Sequence, residues 1–363
     1  MNMKLGVISL TGRSSNNIAK EGKKYFGESN ILDIRKLEVH AAPEGLLVHY
    51  DKKLLEGYDC LYIRGSYKYT LLQRSIARSF YQEIYMPIKP SAFELGHNKF
   101  LTLLELQRNG IRIPKSYFAV NNKIAKKILD EVNYPIIMKI PYGTQGKGVM
   151  FADSKSSASS MLDALEVFKQ PYIIQEYIET GATDIRAVIV GNKVIAMRRK
   201  ATLDELRANI HRGGVGRAVE LEPDVEQLAI KSAKAIGAEI CAVDILEGTK
   251  PSVIEVNLSP GLDGITNATK KNVADIIAKY LYERTVEFKA TKGDKSFKKE
   301  MKTISFNHKT KEVMTSLDIK NGMIRLPKFV TDVSGFGADD DVIINIGKKK
   351  IEIKENKIKK DED

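Results

Sequence analysis

Apolar and polar positions alternate over residues 251–258, P-S-V-I-E-V-N-L, which predicts a strand. Ile254, Val256 and Leu258 then point into a core while Glu255 and Asn257 share the opposite face. Similar apolar runs predict strands at 5–10, 30–34, 59–63 and 172–178, with another around Asp244 in C-A-V-D-I-L. Residues 133–149 read as strand, loop, strand. The segments T-D-I-R-A-V-I-V and K-V-I-A-M-R-R-K flank Gly191-Asn192, the pattern of a hairpin closed by a two-residue turn. A period near 3.6 predicts helices at 18–26, 69–81, 97–110, 225–236 and 272–282, with Asn109-Gly110 and Gly237 as stops. Residues 11–17, rich in Gly, Ser and Asn, read as a loop with helix-capping side chains.

These elements group into domains. Residues 1–92 begin as a βαβ unit, so the loops at 11–15 and 64–66 face the crevice beyond the strand ends. No G-x-G-x-x-G follows the first strand, which argues against dinucleotide binding and for a substrate-side domain. A second region covers 93–289. Residues 290–300, A-T-K-G-D-K-S-F-K-K-E, are charged and aperiodic and read as a linker. Beyond it, 301–363 restarts as a small β-rich domain.

Composition narrows the class. A chain of 363 residues with 43% hydrophobic content is expected to form two or three domains with ordinary cores. The net charge of +12 favours acidic partners, although basic and acidic residues are interleaved as in many soluble proteins. Two cysteines, Cys60 and Cys241, both in apolar surroundings, give no disulfide framework. No apolar run approaches the roughly 20 residues needed to span a bilayer, so a cytoplasmic protein without a membrane partner is expected.

Candidate chemistry lies in a few places. Glu255 and Asn257, two oxygen ligands on one strand face, suit a hard cation, with Asp244 as a third donor. Alone, the stretch fits an edge strand with solvated polar residues equally well. Lys139 interrupts an apolar strand ahead of the glycine-rich P-Y-G-T-Q-G-K-G, and Lys99 sits near a helix start, where the macrodipole disfavours a cation. Anion binding explains both lysines; a hairpin tip and a solvated lysine are the plain alternatives. Q-E-Y-I ends a strand in an acid with backbone that could serve an adenine and ribose. R-A-N-I-H-R-G-G packs Arg207, Asn209, His211 and Arg212 into one donor-rich loop suited to phosphate or carboxylate.

Taken together, N-K-F-L-T-L-L-E-L-Q-R-N-G-I-R-I-P, M-K-I-P-Y-G-T-Q-G-K-G-V, Q-E-Y-I, D-I-R, R-A-N-I-H-R-G-G, V-D-I-L and E-V-N-L-S-P-G-L resemble the ATP-grasp superfamily. Within it they are most similar to RimK-type α-L-glutamate ligases. The resemblance implies an α/β and α+β architecture: an ATP-grasp fold of two subdomains behind a Rossmann-like N-terminal domain. It implies that Lys99 and Lys139 meet ATP phosphates, that Glu176 and Tyr177 line the adenine and ribose pocket, and that Asp184 binds nucleotide. Arg207, Ala208 and Asn209 would flank the phosphates. Asp244, Glu255 and Asn257 would hold Mg²⁺, two ions, with Mn²⁺ as a substitute. Arg207 and Arg212 would be catalytic, and Arg64, His211, Arg212 and Ser259 would face the substrate.

The implied activity is ADP-forming carboxylate–amine ligation through an acyl phosphate. It would add L-glutamate to an acidic acceptor, a protein tail or a coenzyme, in a homo-oligomeric enzyme. Lys147 and Lys200 depart locally from the family pattern. The segment after Met301 resembles an AbrB-type domain, which leaves open a nucleic-acid-binding or scaffolding protein acting through its tail. A ligase of the amino-group-carrier, lysine-biosynthesis type is the other alternative.

Overall fold

The computed structural model describes residues 2–43, 45–119, 121–143, 148–200 and 216–304, with shorter stretches between 318 and 355. They divide into two compact units, Met1–Ser296 and Phe297–Asp363.

The first unit opens with strands β1 (Lys4–Ser9) and β2 (Glu28–Asp33), then β3 (Leu37–Ala42), β4 (Gly45–Tyr50), β5 (Lys53–Leu54) and β6 (Cys60–Ile63). Strands β2, β1 and β6 form a parallel sheet in that order, as the βαβ pattern requires. Its crossover helix is Arg13–Gly22. The predicted loop at 11–17 is therefore short, and Ser14 and Ser15 lie in the first helical turn. Burial of Ser15 and Ile18 outweighs the modest helix propensity of a Ser/Asn-rich segment. Strands β3, β4 and β5 form a separate antiparallel sheet that the sequence pattern did not suggest.

A four-stranded antiparallel sheet follows, built from β7 (Ser116–Phe118), β8 (Ile136–Lys139), β9 (Val149–Ala152) and β10 (Ile173–Glu176) in the order β7-β10-β8-β9. The helices Asn122–Glu131 and Lys155–Val167 bury Ala125, Leu129, Ala158 and Leu162 in a core shared with Ile136, Met138 and Ile174. The larger sheet has five strands: β11 (Thr183–Val190), β12 (Lys193–Lys200), β13 (Arg217–Val219), β14 (Ile240–Glu247) and β15 (Pro251–Asn257), ordered β13-β12-β11-β14-β15. Its buried residues are continuous with those of the N-terminal sheet, whereas the four-stranded sheet has its own cluster. Helix Pro223–Ile236 packs on this larger sheet. It starts with Pro223 and two first-turn acids and stops at Gly237, whose φ of 84° a side chain would strain.

Helix Val273–Ile304 continues through residues 290–300, the stretch whose charge pattern suggests a linker. No helix among the described residues is long and apolar enough to cross a membrane. In the second unit, β16 (Asp318–Lys320) pairs with β17 (Met323–Arg325), and β18 (Val342–Gly347) with β19 (Lys350–Glu355). The last pair sets Ile344 opposite Ile353 and Ile346 opposite Ile351, giving one exposed aliphatic face.

The expected hairpin is present, with Val190 opposite Lys193 across Gly191-Asn192. Gly191 has φ of 66°, and a Cβ there would sit 2.4 Å from the Tyr280 ring. Gly191→Ala is expected to lower unfolding free energy by roughly 1–3 kcal/mol through the left-handed backbone alone, more if Tyr280 cannot yield. Equilibrium denaturant unfolding measures it; an unchanged midpoint would remove this turn from the determinants of sheet register.

Candidate active site

Strand register assembles the site. Across the five-stranded sheet, Arg186 of β11 lies opposite Asp244 of β14, and Asp244 lies opposite Glu255 of β15. One step along, Asp184 of β11 lies opposite Arg199 of β12. Alternation puts these side chains on one face, because the intervening Ile185, Val243 and Val256 are buried. A register shift between Asp244 and Ile245 leaves Ile254 without an opposing residue, a β-bulge next to the carboxylates. Such bulges re-aim side chains, and this one lets Ile254 stay buried beside Val253 while Glu255 and Asn257 face the cavity.

Asp244 is only 1% exposed, so its charge must be compensated within the protein. Arg186 supplies a bidentate pair, Nε to Oδ1 at 2.8 Å and Nη2 to Oδ2 at 2.7 Å. Arg199 Nη2 lies 3.2 Å from Asp244 Oδ2. The same guanidinium donates from Nε to Asp184 Oδ1 at 2.8 Å and pairs through Nη2 with Oδ2. Glu255 takes no hydrogen bond or ion pair from the described residues, so three carboxylates meet two guanidiniums on this face. The surplus negative charge, beside the Asn257 amide, fits a divalent cation with oxygen ligands.

Lys139 comes from the four-stranded sheet. Its Nζ donates to Gln175 Oε1 at 2.7 Å. Burial pushes its pKa down to about 8; Glu255 and Asp244 pull it upward, while Lys99 pushes it further down. Lys139 thus lies within electrostatic reach of the carboxylate wall although it belongs to another core. Lys99 opens helix Lys99–Arg108 and reaches away from its dipole to donate to the Gly143 carbonyl at 2.8 Å. Lys99 thus contacts the start of the glycine-rich segment, while the Lys139 amine, within electrostatic reach of Lys99, is held by Gln175 of β10.

A cavity of about 600 Å³ lies over the wall. Asp244, Glu255, Asn257, Arg186 and Arg199 form one side; the N-terminal segments Gly12–Ser15 and Arg64–Ser66 form another. Ser259, Pro260 and Gly261 make its lip. Arg64, 4% exposed, uses three of its donors on protein: Nε to Ser15 Oγ at 3.0 Å, Nη1 to Tyr62 Oη at 3.1 Å and Nη2 to the Pro260 carbonyl at 2.6 Å. Ser259 Oγ accepts from the Gly65 amide at 2.8 Å. Gly65 is needed there, since a Cβ would lie 2.3 Å from Gln73 Nε2.

The cavity brings together Arg64, Asp244, Glu255, Asn257 and Ser259 of the residues expected from sequence. Lys99, Lys139, Glu176, Tyr177 and Asp184 do not line it. Asp184 is engaged by Arg199, and the Glu176 and Tyr177 amides donate to the carbonyls of Lys115 and Pro135. Tyr177 also packs edge-on against Phe151 at 5.4 Å. Arg207, Ala208, Asn209, His211 and Arg212 lie outside the described residues, as does Lys147. Arg186 and Arg199 stand on the two strands of the hairpin that the sequence predicts around Gly191-Asn192. Their partnership with Asp244 depends on pairing across strands far apart in the chain.

Comparison with known proteins places this geometry. The RimK-like ATP-grasp domain matches residues 96–281. A protein of Marinomonas sp. (strain MWYL1) named "Probable alpha-L-glutamate ligase" is 34% identical over 297 residues, 80% of this chain and 98% of that one. A protein of the same name from Pseudomonas fluorescens (strain SBW25) is 36% identical over 286 residues, covering 77% and 95%. Among solved structures, the RimK domain protein ATP-grasp from Sphaerobacter thermophilus DSM 20745 superposes with a TM-score of 0.61 at 16% identity, over 76% of this chain and 98% of that one. The ATP-grasp ligase PsnB, complexed with a phosphomimetic variant of its minimal precursor, Mg and ADP, gives 0.62 at 16% identity, over 78% and 99%. At that identity the structural likeness carries the fold alone, whereas the matched domain and the sequence relatives carry the family. The chain belongs to the RimK-like ATP-grasp family of ATP-dependent, ADP-forming carboxylate–amine ligases.

Proposed function

We propose that this enzyme joins L-glutamate to an acidic, glutamate-ending acceptor, using ATP to activate the acceptor carboxylate. The observation that carries the reading is the cavity whose charged wall is shared between Asp244, Glu255 and Asn257 on one side and the N-terminal loops on the other. It offers one place where a phosphoryl donor and a carboxylate can meet.

In this scheme the acceptor carboxylate attacks the γ-phosphorus of ATP. The bond to the ADP oxygen breaks, and an acyl phosphate forms. The glutamate amine then attacks the acyl carbon, phosphate leaves, and the amine loses a proton. Lys139, held by Gln175, and Lys99, held by the Gly143 carbonyl, would hold the phosphates and spread the charge that develops during transfer. Glu176 and Tyr177 would border the base and ribose. Asp184 would act through Arg199, keeping that guanidinium aimed at the wall. Arg207, Ala208 and Asn209 would flank the phosphates, as the family resemblance implies, Arg207 and Arg212 would stabilise the transferred phosphoryl group, and His211 and Arg212 would face the substrate. Mg²⁺, held by Asp244, Glu255 and Asn257, would supply charge neutralisation at the phosphates. Arg186 orients Asp244 through two hydrogen bonds, and positioning replaces any need for a covalent enzyme nucleophile.

The direct test measures ADP and amide formation against a panel of acidic peptides and coenzyme-like acceptors, with L-glutamate and other amino acids as the amine. ADP together with a new glutamyl amide is expected. Release of AMP and pyrophosphate, or no dependence on a carboxylate acceptor, would sink the scheme.

Substitutions in the wall should separate chemistry from stability. Glu255→Gln is expected to reduce amide formation by about 10²-fold or more with little change in Tm, because Glu255 is not paired within the described structure. Asp244→Asn should lose both activity and stability, since Arg186 and Arg199 would keep buried charges with one counterion fewer; breaking such a pair costs about 3–5 kcal/mol. Equal Tm losses in the two variants would contradict the division of roles.

The lowered pKa of Lys139 gives a pH signature. Burial holds the Lys139 amine at about 8, below the usual lysine range, so it loses its charge, and its hold on phosphate, as pH rises through that value. kcat/KM for ATP is expected to fall on that side, and Lys139→Arg should abolish the limb while retaining charge. A profile that stays flat to about pH 9.5 would remove Lys139 from the phosphate site.

A further inference from the structure

We infer that Arg64 is a positioning residue: with Ser14 and Ser259 it latches the lip of the cavity to the N-terminal domain and so couples acceptor binding to chemistry. This rests on the ligase reading above.

The charge of Arg64, in a loop beside the cavity, invites a direct contact with a substrate carboxylate. Its geometry assigns a different role. Three donors are spent inside the protein, one of them on the Pro260 carbonyl at 2.6 Å, and the side chain is almost wholly buried. Two further bonds join the same pieces. The Gly65 amide donates to Ser259 Oγ at 2.8 Å, and the Leu262 amide donates to Ser14 Oγ at 2.9 Å. Residues 259, 260 and 262 are therefore each held by a different group of the N-terminal domain.

The lip begins two residues after Asn257 and four after Glu255. Leu258 between them is buried, and a Cβ on Gly96 would lie 2.7 Å from its side chain, so that residue is clamped from the other side. A shift of the lip has little slack to dissipate before it reaches the carboxylate and the amide. The segments that fasten the lip, the helix start at Gly12–Ser15 and the loop Arg64–Ser66, are also the ones that line the cavity where the acceptor would lie. Acceptor and nucleotide wall thus share one set of hydrogen bonds. An acceptor seated on these segments supports the wall, whereas a loosened latch lets water reach the activated carboxyl group before the amine.

The test uses the full chain with Arg64→Lys, which keeps the charge but not the three-way geometry, and Ser14→Ala, which removes only the partner of the Leu262 amide. ADP released, amide formed and backbone hydrogen exchange over residues 255–263 are measured. Both variants are expected to lower kcat for amide formation, about tenfold for Arg64→Lys, with KM values within about twofold, because misplacement of reacting groups acts on kcat. ADP per amide bond should rise above that of the wild type, and exchange at the lip should accelerate. A large rise in acceptor KM at unchanged kcat in Arg64→Lys would instead mark a direct carboxylate contact and overturn the latch. So would wild-type coupling and exchange in Ser14→Ala. If the wild type forms no amide with any acceptor, the ligase reading fails on its own, and the exchange measurement still decides whether these bonds hold the lip.

Discussion

A carboxylate buried to 1% exposure, opposed across the sheet by a second carboxylate, is the constraint on which the rest of this structure depends. Like charges directly opposite one another destabilise a sheet, and a desolvated charge needs partners. Asp244 finds them in Arg186 and Arg199, which come from the two strands of a single hairpin. Register is thus fixed twice, once by the turn at Gly191-Asn192 and once by these ion pairs. A slip of one residue would send the guanidiniums to the buried face and hydrophobic residues to the cavity, which neither side tolerates. The polar row therefore specifies the fold of the five-stranded sheet as well as its chemistry.

The second consequence concerns how the site is divided. The carboxylate wall belongs to a sheet whose core is continuous with the N-terminal domain, whereas Lys139 stands on a sheet with a core of its own. Cation and carboxylates thus reach one another across two packing units. Among the described residues no carboxylate lies at hydrogen-bond distance from Lys139; its Nζ is held by a neutral amide, Gln175 Oε1. Burial then depresses its pKa because the nearest compensation is remote. A site meant only for stability would bring the opposite charges into contact. Here they are held apart, and a polyanion with its counterion suits the intervening space.

Much of this was legible in sequence wherever one face of an element is buried. The alternation of residues 251–258 foretold that Glu255 and Asn257 share a face, and the burial of Ile254, Val256 and Leu258 agrees. The hairpin at Gly191 and the stop at Gly237 were legible because a positive φ selects glycine. What escaped depends on contacts between distant segments. Arg186 and Asp244 are 58 residues apart, and no local pattern encodes their pairing. Helix Arg13–Gly22 begins in R-S-S-N-N, a poor helix former that becomes helical by packing Ser15 and Ile18. The sheet at 37–54 is short and largely exposed, so no strong period announces it. The donor-rich segment at 207–212 lies outside the described residues.

Arg64 shows why charge alone is a poor guide to role. In sequence, an arginine after a strand end beside a crevice looks like a hand extended to an anion. In the structure its guanidinium is met by two hydroxyls and a carbonyl, all neutral. A neutral acceptor set does not cancel the positive charge; it only orients it. The guanidinium can therefore fix the lip through directional hydrogen bonds while its charge still raises the potential of the cavity it borders. Lysine could supply that potential but not the forked geometry, so the lip needs arginine in particular. Ser-Pro-Gly after Asn257 is then more than the end of a strand. Its serine hydroxyl and proline carbonyl are the acceptors that bind the carboxylate wall to the N-terminal domain.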